Sequence, residues 1–97
     1  MQLKLERRAE IALRSLSQIE QRQVIRALNE ISSVTPEELW LSRKLRKVIS
    51  ASGEKLYVYR SSLRLRLVLS VEGDNCTIED LVDHDRLDRL FLKRGQQ

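Results

Sequence analysis

Cysteine is nearly absent: with Cys76 alone, the chain can form no internal disulfide and assemble no multi-cysteine metal site. Proline occurs once and aromatic residues make up 4% of the chain, so a core has to be built from Leu, Ile, Val and Ala. No apolar run approaches the roughly 20 residues needed to span a bilayer. The opening MQLKLERRAE lacks the apolar h-region of a secretory signal, so residence in the cytoplasm, away from membranes, is the expectation. Repeats, low-complexity tracts and linkers are also missing. The 97 residues suit one domain, residues 1–97, with a single modest core.

Charge is plentiful, and its distribution is lopsided. The formal net charge of +4 and a pI near 9.6 permit nucleic-acid or acidic-protein partners. Between positions 42 and 66 the cations Arg43, Lys44, Arg46, Lys47, Lys55, Arg60, Arg64 and Arg66 are opposed by Glu54 alone. From 67 to 88 the balance inverts, and Glu72, Asp74, Glu79, Asp80, Asp83, Asp85 and Asp88 meet only Arg86. Across this boundary Leu63, Leu65, Leu67, Leu69 and Val71 recur at period two with Arg64 and Arg66 between them. That alternation predicts a strand with an apolar face and a cationic face.

Around this strand the other elements can be read in order. Gln2 to Leu5 alternates polar and apolar residues as a short first strand would. Leu5, Ala9, Ala12 and Leu16 predict an amphipathic helix over 6–16. Ser17-Gln18-Ile19-Glu20 has the spacing of a capping box and opens a second helix with Val24, Leu28 and Ile31 on its buried face. Helices joined so tightly predict an antiparallel hairpin. Thr35-Pro36-Glu37-Glu38 supplies an N-cap, a proline at the first helical position and acids in the first turn, predicting a short third helix with Leu39, Trp40 and Leu41. Residues 43–49 read equally as strand or irregular structure, and 50–53 as a small-residue loop. Strands follow over 55–60, 63–71 and 76–82. Gly73-Asp74-Asn75 turns between the last two, while Ser61-Ser62 lacks the glycine of a tight hairpin and predicts a longer connection. Asp85, with Asp88 three residues on, predicts the cap of a terminal helix carrying Leu87, Leu90, Phe91 and Leu92.

Three groups of residues carry a resemblance. Arg7, Ala9 and Glu10 open the first helix; Leu56-Tyr57-Val58-Tyr59-Arg60 pairs with Arg66-Leu67-Val68-Leu69 in a hairpin; and Val82-Asp83-His84-Asp85 precedes the last helix. In this order and at these spacings the chain resembles the RelE/ParE toxin superfamily. The resemblance implies an α+β fold in which an N-terminal helix hairpin packs on a curled antiparallel β-sheet with a short C-terminal helix. It implies the toxin component of a type II toxin–antitoxin pair, with a cognate acidic antitoxin as partner. Many members cut messenger RNA in the ribosomal decoding site, and others inhibit DNA gyrase. In the RNA-cutting branch a ribose 2′-OH attacks its own phosphate without a cofactor, which requires proton transfer at both oxygens and cations around the phosphorane. Arg60 and Arg66 match arginines of the family hairpin, and His84 lies where members supply active-site side chains, so these three are the candidate catalytic residues. Leu56 and Val58 stand where RNA-cutting members often carry lysines, Asp85 where an arginine can follow the last strand, and Phe91 where a tyrosine often does. The alternative is a non-catalytic relative that binds a protein such as gyrase, or nucleic acid, through the same face.

Each candidate also has a plainer structural reading. Arg43, Lys44, Arg46 and Lys47 form the densest cation run, suited to an RNA backbone or to protecting an edge strand by charge. Tyr57 and Tyr59 share a strand face and suit base stacking, or packing beneath the terminal helix. Arg64 and Arg86 join the RNA-binding candidates, although Arg60, Arg64 and Arg66 can equally pair across strands with Glu79 and Asp80. His84 is the one side chain whose ordinary pKa suits proton exchange near neutrality, and its structural reading is a residue leading into a helix cap. One histidine with neighbouring aspartates does not complete a metal site. Trp40 and Cys76 read as core or rim.

Overall fold

Apolar alternation generates the strands, and two helices with one buried stripe each cover one side of the sheet they form. The computed structural model describes residues 1–87. Its elements are β1 (Gln2–Leu5), α1 (Arg7–Arg14), α2 (Gln18–Ser32), α3 (Pro36–Trp40), β2 (Leu45–Ile49), β3 (Lys55–Arg60), β4 (Leu65–Glu72), β5 (Asn75–Asp83) and α4 (His84–Leu87). The strands lie in the order β1-β5-β4-β3-β2. Consecutive strands from β2 to β5 pair antiparallel, but β1 pairs parallel with β5, Gln2 opposite Asn75 and Leu5 opposite Ile78. The fold is therefore α+β with a five-stranded mixed sheet, correcting the all-antiparallel expectation, and a strand precedes the helix hairpin. A parallel pair needs a long crossover, and everything from α1 to β4 serves as one.

Local chemistry sets the element ends. Ser17 accepts the Glu20 N–H at 3.2 Å, but the Glu20 carboxylate turns away to Arg64, so half of the expected capping box forms. The box at α3 is complete: Thr35 accepts from the Glu38 N–H at 3.2 Å while its own N–H donates to the Glu38 carboxylate at 2.9 Å. Hydrogen bonding of the Glu38 carboxylate with the Thr35 backbone N–H, and then with its side chain, holds the carboxyl below its ordinary pKa. The helix α1 ends at Arg14, where the Ser15 hydroxyl bonds back to the Ile11 carbonyl at 3.0 Å. Gly73 has φ +61°, and Glu72 lies opposite Asn75, so the β4–β5 hairpin turns on Gly73-Asp74 alone. The β2 strand resolves the ambiguity over 43–49. At the other end Asp83, rather than Asp85, caps α4, its Oδ1 accepting the Arg86 N–H at 2.7 Å. The expected Asp88, Leu90, Phe91 and Leu92 lie outside the described residues.

The two sheet faces differ in kind. Leu65, Leu67 and Leu69 of β4, with Cys76, Ile78 and Leu81 of β5, pack against Ala9, Val24, Ala27, Ile31 and Leu39. A bulge between Val68 and Leu69 leaves Glu79 with no residue opposite it in the β4 register, so Ile78 and Leu81 share a face despite being three apart. Leu63, expected in this core, is 90% exposed. It precedes β4, in a turn whose backbone is not pleated, so the leucine alternation overshoots the strand by one step. The opposite face carries a smaller apolar cluster of Val48, Leu56, Val58, Val68 and Val82, with Leu87 of α4 set onto it. Among the described residues, no helix is long and apolar enough to cross a membrane.

Candidate functional site

Beside that smaller cluster the sheet changes from apolar to cationic. Arg60 on β3 lies directly opposite Arg66 on β4, and parity puts both on the face of Val58 and Val68. Like charges facing each other across a strand pair destabilise a sheet by a few tenths to about 1 kcal/mol. The neighbouring strand adds Arg46, opposite Val58, and the Lys44 carbonyl accepts the Arg60 N–H at 2.9 Å, bringing Lys44 and Arg43 alongside. These residues line a groove of about 180 Å³: Arg43, Lys44, Arg46, Val58, Arg60, Arg66 and His84.

Two backbone devices fix its far end. One nitrogen of Arg66, Nη1, donates to the carbonyls of Ser62 at 2.7 Å, Leu65 at 3.1 Å and Leu63 at 3.2 Å, which ties the guanidinium to the β3–β4 turn. The His84 N–H donates to the Arg64 carbonyl at 2.7 Å, so β5 passes into α4 with His84 at the groove wall. His84 also lines a second, open cleft of about 310 Å³ with Leu63, Arg64, Asp83 and Asp85. The acids that flank His84 in sequence therefore face this second cleft. Among the described residues, no carboxylate lines the cationic groove itself.

The three catalytic candidates Arg60, Arg66 and His84 thus come together, joined by Arg43, Lys44 and Arg46. Five other candidates do not join them. Lys47 has the opposite parity to Arg46 and lies across from Tyr57, on the helix-covered side of β2. Tyr57 stacks on Trp40, ring centroids 4.6 Å apart. Tyr59 is 5% exposed in the main core and donates its hydroxyl to Glu30 on α2 at 3.0 Å. Neither tyrosine reaches the groove as a stacking platform, and neither packs beneath α4. Arg64 precedes β4 and forms an ion pair with Glu20 of α2 at 2.6 Å. Arg86 is exposed on α4, outside the groove lining.

The anticipated cross-strand acids are engaged elsewhere, Glu79 accepting from the Ser70 hydroxyl at 2.6 Å and Asp80 from the Leu81 N–H at 2.8 Å. One contributor escaped the sequence reading. Glu30 accepts from both Tyr59 and Lys44. Burial would raise its pKa, but hydrogen bonds from Lys44 and Tyr59 and the charges of Lys44 and Arg26 outweigh this and lower it. Conversely, burial and the Glu30 carboxylate push the Tyr59 phenol up to about 12. Among the described residues, no group of three or more His, Cys, Asp or Glu side chains is placed to hold a metal ion. The sequence matches no protein-family model, and neither curated proteins nor solved structures provide a match to it.

Proposed function

We propose that this chain is a toxin of the RelE/ParE type, the partner of an acidic antitoxin in the cytoplasm, and that it cuts messenger RNA on the ribosome. The observation that carries the reading is the Arg60–Arg66 pair facing across two strands, with His84 on the same groove wall and no carboxylate among the described residues of the lining. Two cations set opposite each other disfavour the empty sheet and favour one bearing an anion, so a phosphodiester is the natural occupant. As O2′ attacks phosphorus and the P–O5′ bond breaks, negative charge grows on the phosphoryl oxygens, where Arg60 and Arg66 stabilise it. His84 moves a proton between the reacting oxygens and solvent, a role that an imidazole can fill.

A second reading, binding without cleavage to gyrase, another protein or nucleic acid, is favoured by Leu56 and Val58. Their side chains are 7% and 3% exposed in the apolar cluster beside the groove, at positions where the resemblance would place lysines. Mapping messenger RNA ends on programmed ribosomes decides between the two. Parental cleavage reduced about 10²–10⁴-fold by His84→Ala, and comparably by Arg66→Ala, with ribosome binding largely retained, is the expected outcome. No cleavage by the parent leaves the binding reading; cleavage undiminished in both variants keeps the nuclease and removes these residues from its chemistry.

A further inference from the structure

We infer that Glu30 is an internal counterion that withholds Lys44 from the groove, so that the helix layer attenuates anion binding on the far side of the sheet. This rests on the groove being an anion site, as proposed above. Lys44 is one of the groove-lining residues, yet its Nζ sits 3.2 and 3.4 Å from the two oxygens of Glu30, on α2. Glu30 does not wander to meet it: the Tyr59 hydroxyl, rooted in the main core, holds one of the same oxygens at 3.0 Å. The Lys44 ammonium also lies 6.0 Å from the Tyr59 ring centroid, over a face that attracts cations. One carboxylate from the helix layer, held in place by Tyr59 from the sheet, thereby neutralises one cation of the groove. Arg43, Arg46 and Arg60 differ, having no carboxylate partner among the described residues.

An incoming phosphate finds those arginines available and Lys44 occupied. Lys44 and Glu30 are 42% and 43% exposed, and a lysine stem is flexible enough to swing from one anion to another. Pairs this exposed interact weakly, so the attenuation is modest: roughly two- to fivefold in affinity. The Glu30→Gln variant isolates it, because glutamine retains an acceptor for Tyr59 and the size of the side chain while losing the charge that holds Lys44.

The probe is a short fluorescent oligouridylate, titrated over a range of salt against the parent, Glu30→Gln, Lys44→Ala, the double variant, Arg60→Ala and Glu72→Gln. Glu72 ends β4 and is exposed, so its variant makes the same change in net charge away from the groove. Glu30→Gln is expected to bind roughly two- to fivefold tighter than Glu72→Gln. Its salt slope should steepen by about 0.7, the signature of one more phosphate contact on a single strand. In the Lys44→Ala background, Glu30→Gln should lose both effects. If Arg60→Ala weakens binding while Glu30→Gln matches Glu72→Gln, or Lys44→Ala weakens binding as much as Arg60→Ala does, the counterion is overturned and the groove stands. If Arg60→Ala binds like the parent, groove and counterion fall together. Cleavage plays no part in the readout, so a failed nuclease assay leaves this outcome untouched.

Discussion

Burial leaves the Cys76 side chain with no accessible surface and pushes its thiol from an ordinary value of 9 up to about 11. The unfolded chain therefore gives up the thiol proton first as pH rises, and stability present below pH 9 is lost progressively up to about 11. A thiol held this far above its ordinary value accounts for a loss on the order of 2–3 kcal/mol. Cys76→Ala should be less stable at neutral pH, because it opens a small cavity, yet lose less stability between pH 9 and 11 than the parent. Urea midpoints measured across that range check this; parallel declines in the two proteins would show that another group carries the alkaline loss. At this scale the candidate site was half legible. Parity along one strand put Arg60 with Leu56 and Val58, and along another put Arg66 opposite the leucines, but the register that sets the two arginines face to face had no local signal. Tyr57 and Tyr59 could not be placed, because both parities of β3 are apolar and nothing local says which one the helices cover. Glu30 gave no signal at all, since its contacts with Lys44 and Tyr59 exist only once α2 lies against the sheet.

The β4–β5 hairpin depends on one backbone conformation. Gly73 has φ +61° with open space around the position of a Cβ, so a side chain there meets no neighbour and suffers only the left-handed backbone. Gly73→Ala should cost about 1–2 kcal/mol, and Gly73→Asn distinctly less, because asparagine tolerates this region. Thermal melts of the two variants provide the comparison, and equal losses would mean that the turn is reshaped rather than strained. Turn and cap chemistry of this kind is local, which is why the Gly73-Asp74-Asn75 turn and the Thr35 N-cap were visible in the sequence. Ends governed by competition were not. Glu20 has the spacing to complete a box with Ser17 but finds Arg64 instead, and Asp83 reaches the first turn of α4 before Asp85 can serve as its cap. The bulge at Glu79 was hidden for a related reason, because one extra residue breaks the period of two that reveals a strand.

The two layers meet at the odd-numbered leucines of β4, and their energetics separate core from turn. Leu67 is 1% exposed against the helix hairpin, while Leu63 is 90% exposed. Leu67→Ala should cost about 2–5 kcal/mol, a large share of the stability of a domain this size, whereas Leu63→Ala should lie within about 0.5 kcal/mol of the parent. Denaturant unfolding of both variants tests the assignment, and comparable losses would contradict the placement of Leu63 in solvent. The α+β layering was legible because period-two and helical patterns alternate along the chain in distinct blocks. The parallel seat of β1 was not, since four residues carry no information about which distant edge they will join. That seat governs the order of events during synthesis. The first strand leaves the ribosome about 70 residues before the strand that receives it, a wait of roughly 4–14 s at ordinary elongation rates. When β5 emerges it supplies the missing neighbour to β1 and β4 at once, and His84 follows it immediately. Sheet closure and assembly of the cationic groove therefore belong to the same late moment of translation, and the nascent chain holds no complete groove before then.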